Sequence, residues 1–201
     1  MYQASIRIYI CGVSDEAAKI IDSVDGFPFI MRKITSDKSF NLEKARESQL
    51  VILGGDSISA TEALREMRDL NSEDADIILF ADALRHDEFA PYFDMLEDIW
   101  PAEMSSDELK WRFGRWQRLF KEHLDAWETN QFLESTINSI PSLVWYKTKD
   151  GIHEKVNDSF CETVNKPKDD VQGKRHAYIW DVEEDDPVCI ESEEKVMSSG
   201  Q

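Results

Sequence analysis

The stretch Gln49-Leu-Val-Ile-Leu-Gly-Gly-Asp56 decides the fold, because an entirely apolar run ends abruptly in two glycines. Such a run, without polar alternation, is typical of a strand buried on both faces of a parallel sheet. Further short apolar runs lie at 6–10, 27–34, 76–80 and 97–100. They predict five strands, each followed by a helical window, and therefore a doubly wound parallel sheet with right-handed crossovers.

The windows between these runs carry helix signals. Ser14 is placed to cap a helix that extends to about residue 24, and a shorter helix is predicted at 42–47. Ser59-Ala-Thr-Glu62 matches a capping box and predicts a helix over 59–70. A fourth helix is predicted over 89–96. The α/β domain defined by these elements covers residues 1–104.

The order and size of these elements resemble the receiver domain of bacterial response regulators. That family holds Mg²⁺ with two acids after its first strand and accepts a phosphoryl group on an Asp at the end of its third. It also uses a Ser or Thr after strand four and a Lys after strand five. The corresponding positions here carry other residues: Cys11, Gly12, Gly54, Ala81 and Ala102. The resemblance therefore implies a pseudo-receiver without a phosphoacceptor, a metal ligand or a catalytic residue.

Two acids near these positions leave an alternative open. Asp56 and Asp82 follow strands three and four, and a shifted register would make Asp56 the phosphoacceptor. The Gly54-Gly55-Asp56 triplet also matches the start of the Gly-Gly-Asp/Glu-Glu-Phe signature of diguanylate cyclases. Because Ser57 and Ile58 follow it, we interpret the triplet as a strand-to-helix turn. A phosphate cradle at this turn would lack a neighbouring Lys.

A long helix is predicted over 105–139. Ser105-Ser-Asp-Glu108 forms its capping box, and no Pro follows until Pro141. One face carries residues at alternating spacings of four and three: Leu109, Phe113, Trp116, Phe120, His123, Trp127 and Asn130. This spacing is typical of a coiled-coil seam. We expect the first two turns of this helix to pack on the sheet. The rest of the seam is expected to pair with a second copy in a homodimer, through Trp116, Phe120, His123 and Trp127. The alternative is that the helix folds back on its own domain.

Residues 140–201 follow a different pattern. Between Leu143 and Gly173 the sequence predicts two strands joined by an Asp150-Gly151 turn, then two short helices separated by Asn165-Lys-Pro167. This order resembles the first half of a PAS domain. The resemblance covers about residues 132–197 and is carried by Asp150, Gly151, Asn157, Phe160, Val171 and Gly173. It implies a partial α+β sensory and dimerising module whose sheet is completed by further chain or by a partner.

No cofactor is expected in this segment. His153 and His176 are the candidates for a haem ligand, but both are predicted to be solvated. Cys161 is predicted to be a small core residue rather than a flavin-reactive thiol, because the flavin-binding motif of PAS relatives is absent. The acids between residues 181 and 194 lack the spacing of a calcium-binding loop and are predicted to form a solvated face.

Charge and composition narrow the class of partner. The net charge of −18 disfavours nucleic acid and anionic membranes, because phosphate binding needs clustered Lys and Arg. The three cysteines are odd in number and widely spaced, which favours reduced thiols in the cytoplasm. No apolar run approaches the roughly 18 residues that would span a bilayer. The chain is therefore expected to be cytoplasmic, without a membrane or nucleic-acid partner.

These observations predict a non-catalytic sensory or regulatory input region of a bacterial signal-transduction protein. Its domains would be a pseudo-receiver core at 1–104, a connecting helix at 105–139 and an incomplete PAS domain at 140–201. The aromatic-rich PAS half is similar to those that precede diguanylate cyclase domains. The resemblance thus implies a cyclase as the downstream output, with a histidine kinase as the alternative.

Overall fold

A computed structural model describes residues 4–27, 30–54, 57–69, 75–184 and 187–199. The chain forms two compact units, Met1–Lys121 and Glu122–Gln201. The boundary between them lies within one helix, which spans Ser106–Asn138.

The first unit contains a five-stranded sheet in which every strand pair is parallel. Its strands are β1 (Ala4–Cys11), β2 (Ile30–Asp37), β3 (Leu50–Leu53), β4 (Asp76–Ala81) and β5 (Asp98–Pro101). They lie in the order β2-β1-β3-β4-β5, so the chain winds outward from β1 in both directions. This arrangement confirms the predicted doubly wound α/β sheet, with the strand order of flavodoxin-like folds.

Helices cover both faces of this sheet. They are α1 (Asp15–Ser23), α2 (Leu42–Arg46), α3 (Ser57–Asp69), a 3₁₀ helix (Ala83–Met95) and α4 (Ser106–Asn138). Buried residues of α1 and α4 share one core with one face of the strands. Buried residues of α2, α3 and the 3₁₀ helix share a second core with the opposite face. The burial of β3 on both sides explains why its sequence is apolar throughout.

Some element boundaries differ from the predictions. The second strand was predicted at 27–34 but lies at 30–37. The capping-box assignment at Ser59 was wrong, because α3 already begins at Ser57. The predicted α-helix at 89–96 is instead part of the 3₁₀ helix, which contains Pro91. Proline has no backbone N–H and therefore cannot donate the hydrogen bond that a regular α-helix requires at that position.

The second unit contains the last turns of α4, a small antiparallel sheet and four short helices. The strands are β6 (Trp145–Lys147), β7 (Ile152–Val156) and β8 (Lys174–Arg175), in the order β6-β7-β8. The helices are α5 (Asp158–Val164), α6 (Lys168–Val171), α7 (His176–Ile179) and α8 (Pro187–Ser199). The predicted hairpin and the two following helices are confirmed, whereas the two-residue strand β8 was not predicted.

The hairpin turn has the backbone that the Asp150-Gly151 pair predicts. Gly151 has a φ of 76°, a region that glycine enters without steric cost. The N–H of Thr148 donates to the carbonyl of Ile152 at 2.9 Å and closes the turn. The unit's buried core is small and consists of Val156, Phe160, Val171 and Ile179.

Among the described residues, no helix has both the length and the apolar character that crossing a bilayer requires.

Candidate functional site

The carboxyl ends of β1, β3 and β4 form the edge at which an open α/β sheet places its ligands. β1 ends at Cys11 and β4 at Ala81, and Gly54 follows β3. Cys11 is buried, and this burial raises the pKa of its thiol. A cavity of about 370 Å³ opens beside this edge, with the charged side chains of Lys38 and Glu62 in its wall. A buried neutral thiol at the end of β1 offers neither the oxygen ligands that Mg²⁺ prefers nor an activated nucleophile.

Gly54 occupies the position where the receiver resemblance places the phosphoacceptor, and the structure has no room for a side chain there. A Cβ on Gly54 would lie 2.9 Å from the carbonyl oxygen of Gly12 and 2.9 Å from Cγ2 of Val13. The N–H of Gly54 also donates to the carbonyl of Cys11 at 2.8 Å, which holds the two strand ends together. The glycine therefore permits a close backbone approach between the loops after β1 and β3.

The acids near this edge are placed differently. Asp37 at the end of β2 accepts a hydrogen bond from Lys44 Nζ at 2.6 Å. Asp82 follows β4 and is exposed, whereas Asp56 lies outside the described residues. Within the described part of the chain, no group of three His, Cys, Asp or Glu side chains is placed to hold a metal ion.

Tyr9 lies next to Cys11 on the same face of β1, and sequence analysis did not single it out. Its ring is fully buried, and its hydroxyl accepts from the N–H of Asn41 at 2.8 Å and donates to the carbonyl of Ser39 at 3.3 Å. Burial raises the pKa of the Tyr9 hydroxyl well above its ordinary value. These bonds fix the loop before α2, so the tyrosine has a structural role at the edge of the cavity.

The predicted seam on α4 divides into two parts. Trp116 is buried in the first unit, where its Nε1 donates to Asp76 Oδ2 at 2.7 Å and its ring stacks on Phe113. Phe120 is half-buried against the same core. His123 is exposed, and Trp127 is 60% exposed. Trp116 and Phe120 therefore contribute to the core of the first unit, and His123 and Trp127 are the candidate dimer residues that remain open to solvent.

Asn157, fully buried in the second unit, joins the hairpin to the helix that follows it. Its Oδ1 accepts from the N–H of Phe160 at 3.1 Å, which caps the start of α5. The same oxygen accepts from the N–H of Val144 at 3.0 Å, just before β6. The sequence places Asn157 where a helix cap is expected, but it does not reveal this second bond.

The amide nitrogen of Asn157 binds the end of α4. Nδ2 lies 3.1 Å from the carbonyl oxygens of Ile137 and Ile140 and 2.8 Å from that of Ser142. Since an amide has two N–H groups, one of them is shared between acceptors. The carbonyls at the end of a helix have no partner within it, and Asn157 supplies one. This single buried side chain therefore connects α4, β6 and α5.

Ion pairs hold the preceding turn of α4. Glu134 pairs with Lys155 on β7 at 3.3 Å and with Lys168 on α6 at 3.2 Å. Asn130, one turn earlier, accepts from Lys155 Nζ at 3.1 Å. Together with Asn157, Glu134 fastens the last turns of α4 to the body of the second unit, and the exposed bond to Asn130 adds little.

Glu134 gives this attachment a pH dependence. Hydrogen bonds from Lys168 and then Lys155 hold the pKa of the Glu134 carboxyl below its ordinary value of 4.5. A carboxyl whose pKa is lower in the folded state than in the unfolded state stabilises the fold at neutral pH. This stabilisation is lost as the pH falls below the unfolded-state pKa and through the lower folded-state pKa. We expect Glu134→Gln to cost about 1 kcal/mol at pH 7 and progressively less in acid.

The measurement is hydrogen exchange of the second unit for wild type and Glu134→Gln across this pH range. Glu128→Gln is the matched control, because Glu128 lies on the exposed part of the same helix. A difference between wild type and Glu134→Gln that stays constant down to the lowest pH would contradict the assignment.

His153 and His176 lie in an aromatic cluster with Phe160 and Trp180. The prediction that His153 is solvated was wrong, because His153 is buried and its ring centroid lies 5.6 Å from that of Phe160. Its Nδ1 lies 3.3 Å from the carbonyl oxygen of Lys174 on β8. His176 is partly buried and stacks between His153 and Trp180, with centroid distances of 6.1 and 5.8 Å. His153 therefore serves the packing of β7 against its neighbours.

Comparisons with family models, curated proteins and solved structures find no match.

Proposed function

We propose that this chain is a non-catalytic sensory or regulatory input region of a bacterial signal-transduction protein in the cytoplasm. In this proposal the first unit is a pseudo-receiver, α4 is a connecting helix and the second unit is a PAS-like module. The output would be a diguanylate cyclase domain outside this chain, a suggestion that rests on the sequence resemblance alone. Information would travel as a change of shape rather than as a transferred phosphoryl group.

The lack of room for a side chain at Gly54 carries this proposal. A phosphoacceptor at the end of β3 needs a side chain that projects into the crevice and cations that neutralise the transferred group. Here the backbone of Gly12 occupies the space that the Cβ would need. The neighbouring end of β1 presents a buried thiol instead of carboxylates.

The course of α4 supports a mechanical role. Its buried residues Leu109, Phe113 and Trp116 belong to the core of the first unit. Its last turns are held in the second unit by Glu134 and Asn157. One uninterrupted helix, α4, belongs to both units. A movement of one end of α4 would therefore be transmitted to its other end through the helix backbone and its hydrogen bonds.

Phosphorylation in a shifted register is the alternative, and it is directly testable. We expect that incubation with acetyl phosphate and Mg²⁺ leaves the intact mass of the protein unchanged. Asp56→Asn and Asp82→Asn variants, treated identically, are the controls. A gain of one phosphoryl group that either substitution abolishes would overturn the pseudo-receiver proposal and identify the acceptor.

The nature of the output requires a separate assay on a protein that carries this region together with its output domain. A cyclase converts GTP into cyclic di-GMP, whereas a histidine kinase transfers the γ-phosphate of ATP to its own histidine. Cyclic di-GMP production supports the proposal, and autophosphorylation from ATP supports the kinase alternative.

A further inference from the structure

The cavity beside the carboxyl ends of β1 and β3 has the size of a small-molecule site. Its volume of about 370 Å³ lies within the range of roughly 300–1,000 Å³ that such sites occupy. The loop after β2 lines it with Lys38, Ser39 and Phe40, and α3 lines it with Glu62 and Glu66. We call the cavity bounded by these five residues the β2–α3 pocket.

The floor of the β2–α3 pocket is apolar. It contains Cys11, Leu53, Ala60 and Ala63, which are buried together in one core. Phe40 is partly buried and packs against that core. A ligand in the pocket would therefore lay its hydrocarbon part on this floor and direct its charged groups to the rim.

Three charged side chains at the rim are available to a ligand. Lys38 supplies one positive charge, Glu62 and Glu66 supply two negative charges, and all three residues are exposed. Among the residues that the structure describes, none of these three side chains takes part in a hydrogen bond or an ion pair. The pocket thus combines unpaired charges of both signs with an apolar floor.

The two acids have a spacing that does not favour the helix. Glu62 and Glu66 lie four residues apart in α3 and therefore on one face of it. Like charges at this spacing repel each other and destabilise a helix. Lys44 of the neighbouring α2, by contrast, is matched by Asp37 at 2.6 Å. A charge arrangement that costs stability without compensation in the fold is expected where it serves a function.

The charges specify the class of ligand. One cation and two anions in the pocket match a molecule that has one anionic and two cationic groups. A free basic amino acid has this set, namely a carboxylate, an α-ammonium group and a cationic group at the end of an aliphatic chain. A diamine lacks the anion for Lys38, and phosphate or an acidic amino acid would face the carboxylates of Glu62 and Glu66.

We propose that the β2–α3 pocket binds a free basic amino acid of the lysine or arginine type. Lys38 binds its carboxylate, Glu62 and Glu66 bind its two cationic groups, and its aliphatic chain lies on the floor beside Cys11 and Leu53. This inference rests on the proposed sensory role, because it identifies the chemical class of the signal.

Isothermal titration calorimetry on the full chain tests the ligand class. We expect L-lysine and L-arginine to bind. Cadaverine, which is lysine without its carboxylate, should bind at least tenfold more weakly, since a charged hydrogen-bonding partner is lost. L-glutamate and inorganic phosphate should not bind. About 0.15 M salt limits the general attraction of cations to this acidic protein, because the screening length is then about 8 Å.

Substitutions assign the groups. Lys38→Met should raise the dissociation constant of L-lysine tenfold or more and leave that of cadaverine unchanged, because only the amino acid has a carboxylate. Glu62→Gln and Glu66→Gln should each weaken the binding of both molecules. All three residues are exposed, so we expect the variants to keep the circular dichroism spectrum of the wild type.

Matched controls lie outside the pocket. Lys33→Met removes an exposed lysine of β2, and Glu16→Gln removes an exposed acid of α1, which packs on the opposite face of the sheet. Neither should change the affinity for L-lysine. If Glu16→Gln weakens binding as much as Glu62→Gln does, general attraction to the negative surface explains the binding and the pocket is overturned.

The proposal is also overturned if neither amino acid binds with a dissociation constant of about 1 mM or tighter. Equal affinity for cadaverine and L-lysine, no effect of Lys38→Met, or equally tight binding of L-glutamate or phosphate would each contradict it. These outcomes are distinct from failure of the pseudo-receiver proposal. A protein that takes no phosphoryl group from acetyl phosphate and binds neither amino acid leaves the pseudo-receiver intact and removes only the ligand.

Discussion

Replacing Asn157 with alanine is expected to remove the hydrogen-exchange protection of the second unit while the first unit keeps its own. The substitution leaves the two backbone N–H groups and three carbonyls that the side chain contacts without this partner. A buried polar group without a partner costs about 1–3 kcal/mol, and loss of a helix cap about 1 kcal/mol. We therefore expect a loss of about 3 kcal/mol or more, which the small core of this unit cannot offset.

Hydrogen exchange read by mass spectrometry separates the two units in one experiment. Peptides from β6, β7 and α5 should exchange rapidly in Asn157→Ala, and peptides from β1, β3 and β4 should remain protected. Asn130→Ala is the matched control, since Asn130 is exposed and accepts a hydrogen bond only from Lys155 among the described residues. We expect this control to change stability by less than about 0.5 kcal/mol.

A second variant distinguishes capping from the attachment of α4. Asn157→Asp keeps an oxygen that can cap α5, but it replaces the Nδ2 donor with a second acceptor facing the carbonyls of Ile137, Ile140 and Ser142. If capping alone mattered, this variant would behave as the wild type. We expect it to be as unstable as Asn157→Ala, and protection equal to that of the Asn130→Ala control would contradict the attachment.

Gly54→Ala is expected to destabilise the first unit by about 1–3 kcal/mol, the usual cost of forcing extra atoms into a packed site. The added methyl group would meet the Gly12 carbonyl oxygen and Val13 Cγ2 at 2.9 Å, closer than real Cβ contacts. Because one of these neighbours is backbone, the two loops must move apart to relieve the contact. Gly54→Asp, which would restore an acid at the receiver position, should be at least as unstable and should remain unphosphorylated by acetyl phosphate.

Gly114→Ala provides a control of opposite sign. Gly114 lies within α4, and a Cβ there would meet no atom within 4 Å. Alanine is the more favourable residue inside a helix by about 1 kcal/mol, so this variant should be stabilised. Urea denaturation followed by far-ultraviolet circular dichroism measures both changes. A stable Gly54→Ala protein would show that the end of β3 can accommodate a side chain, and it would remove the main support for the pseudo-receiver proposal.

Parts of the fold could be predicted from local sequence patterns. Apolar runs located the parallel strands, most clearly β3 and β4, because nearly every residue of these two strands is buried and few positions can be polar. The Asp150-Gly151 turn located the hairpin, since its backbone conformation favours glycine at that position. The boundaries of β2 and α3 were less accurate, because neighbouring residues with similar propensities leave the first and last residue of an element undetermined.

The candidate site could be predicted less completely from the sequence. Sequence spacing places Trp116 and Trp127 on one helical face, but periodicity does not reveal what covers that face. The structure buries Trp116 in the core and leaves Trp127 exposed. His153 was predicted to be solvated from the alternation of its strand, and its burial depends on contacts with Phe160, His176 and β8.

The amino-acid sequence by itself determined the sheet, the hairpin and the residue types at the strand ends, because these depend on neighbours within a few positions. Only the tertiary structure decided that the backbone of Gly12 leaves no room for a side chain at Gly54, and that Asn157 holds the end of α4. Each of these contacts joins residues far apart along the chain. Their distances arise only when the folded backbone brings separate elements together, and no local pattern records them.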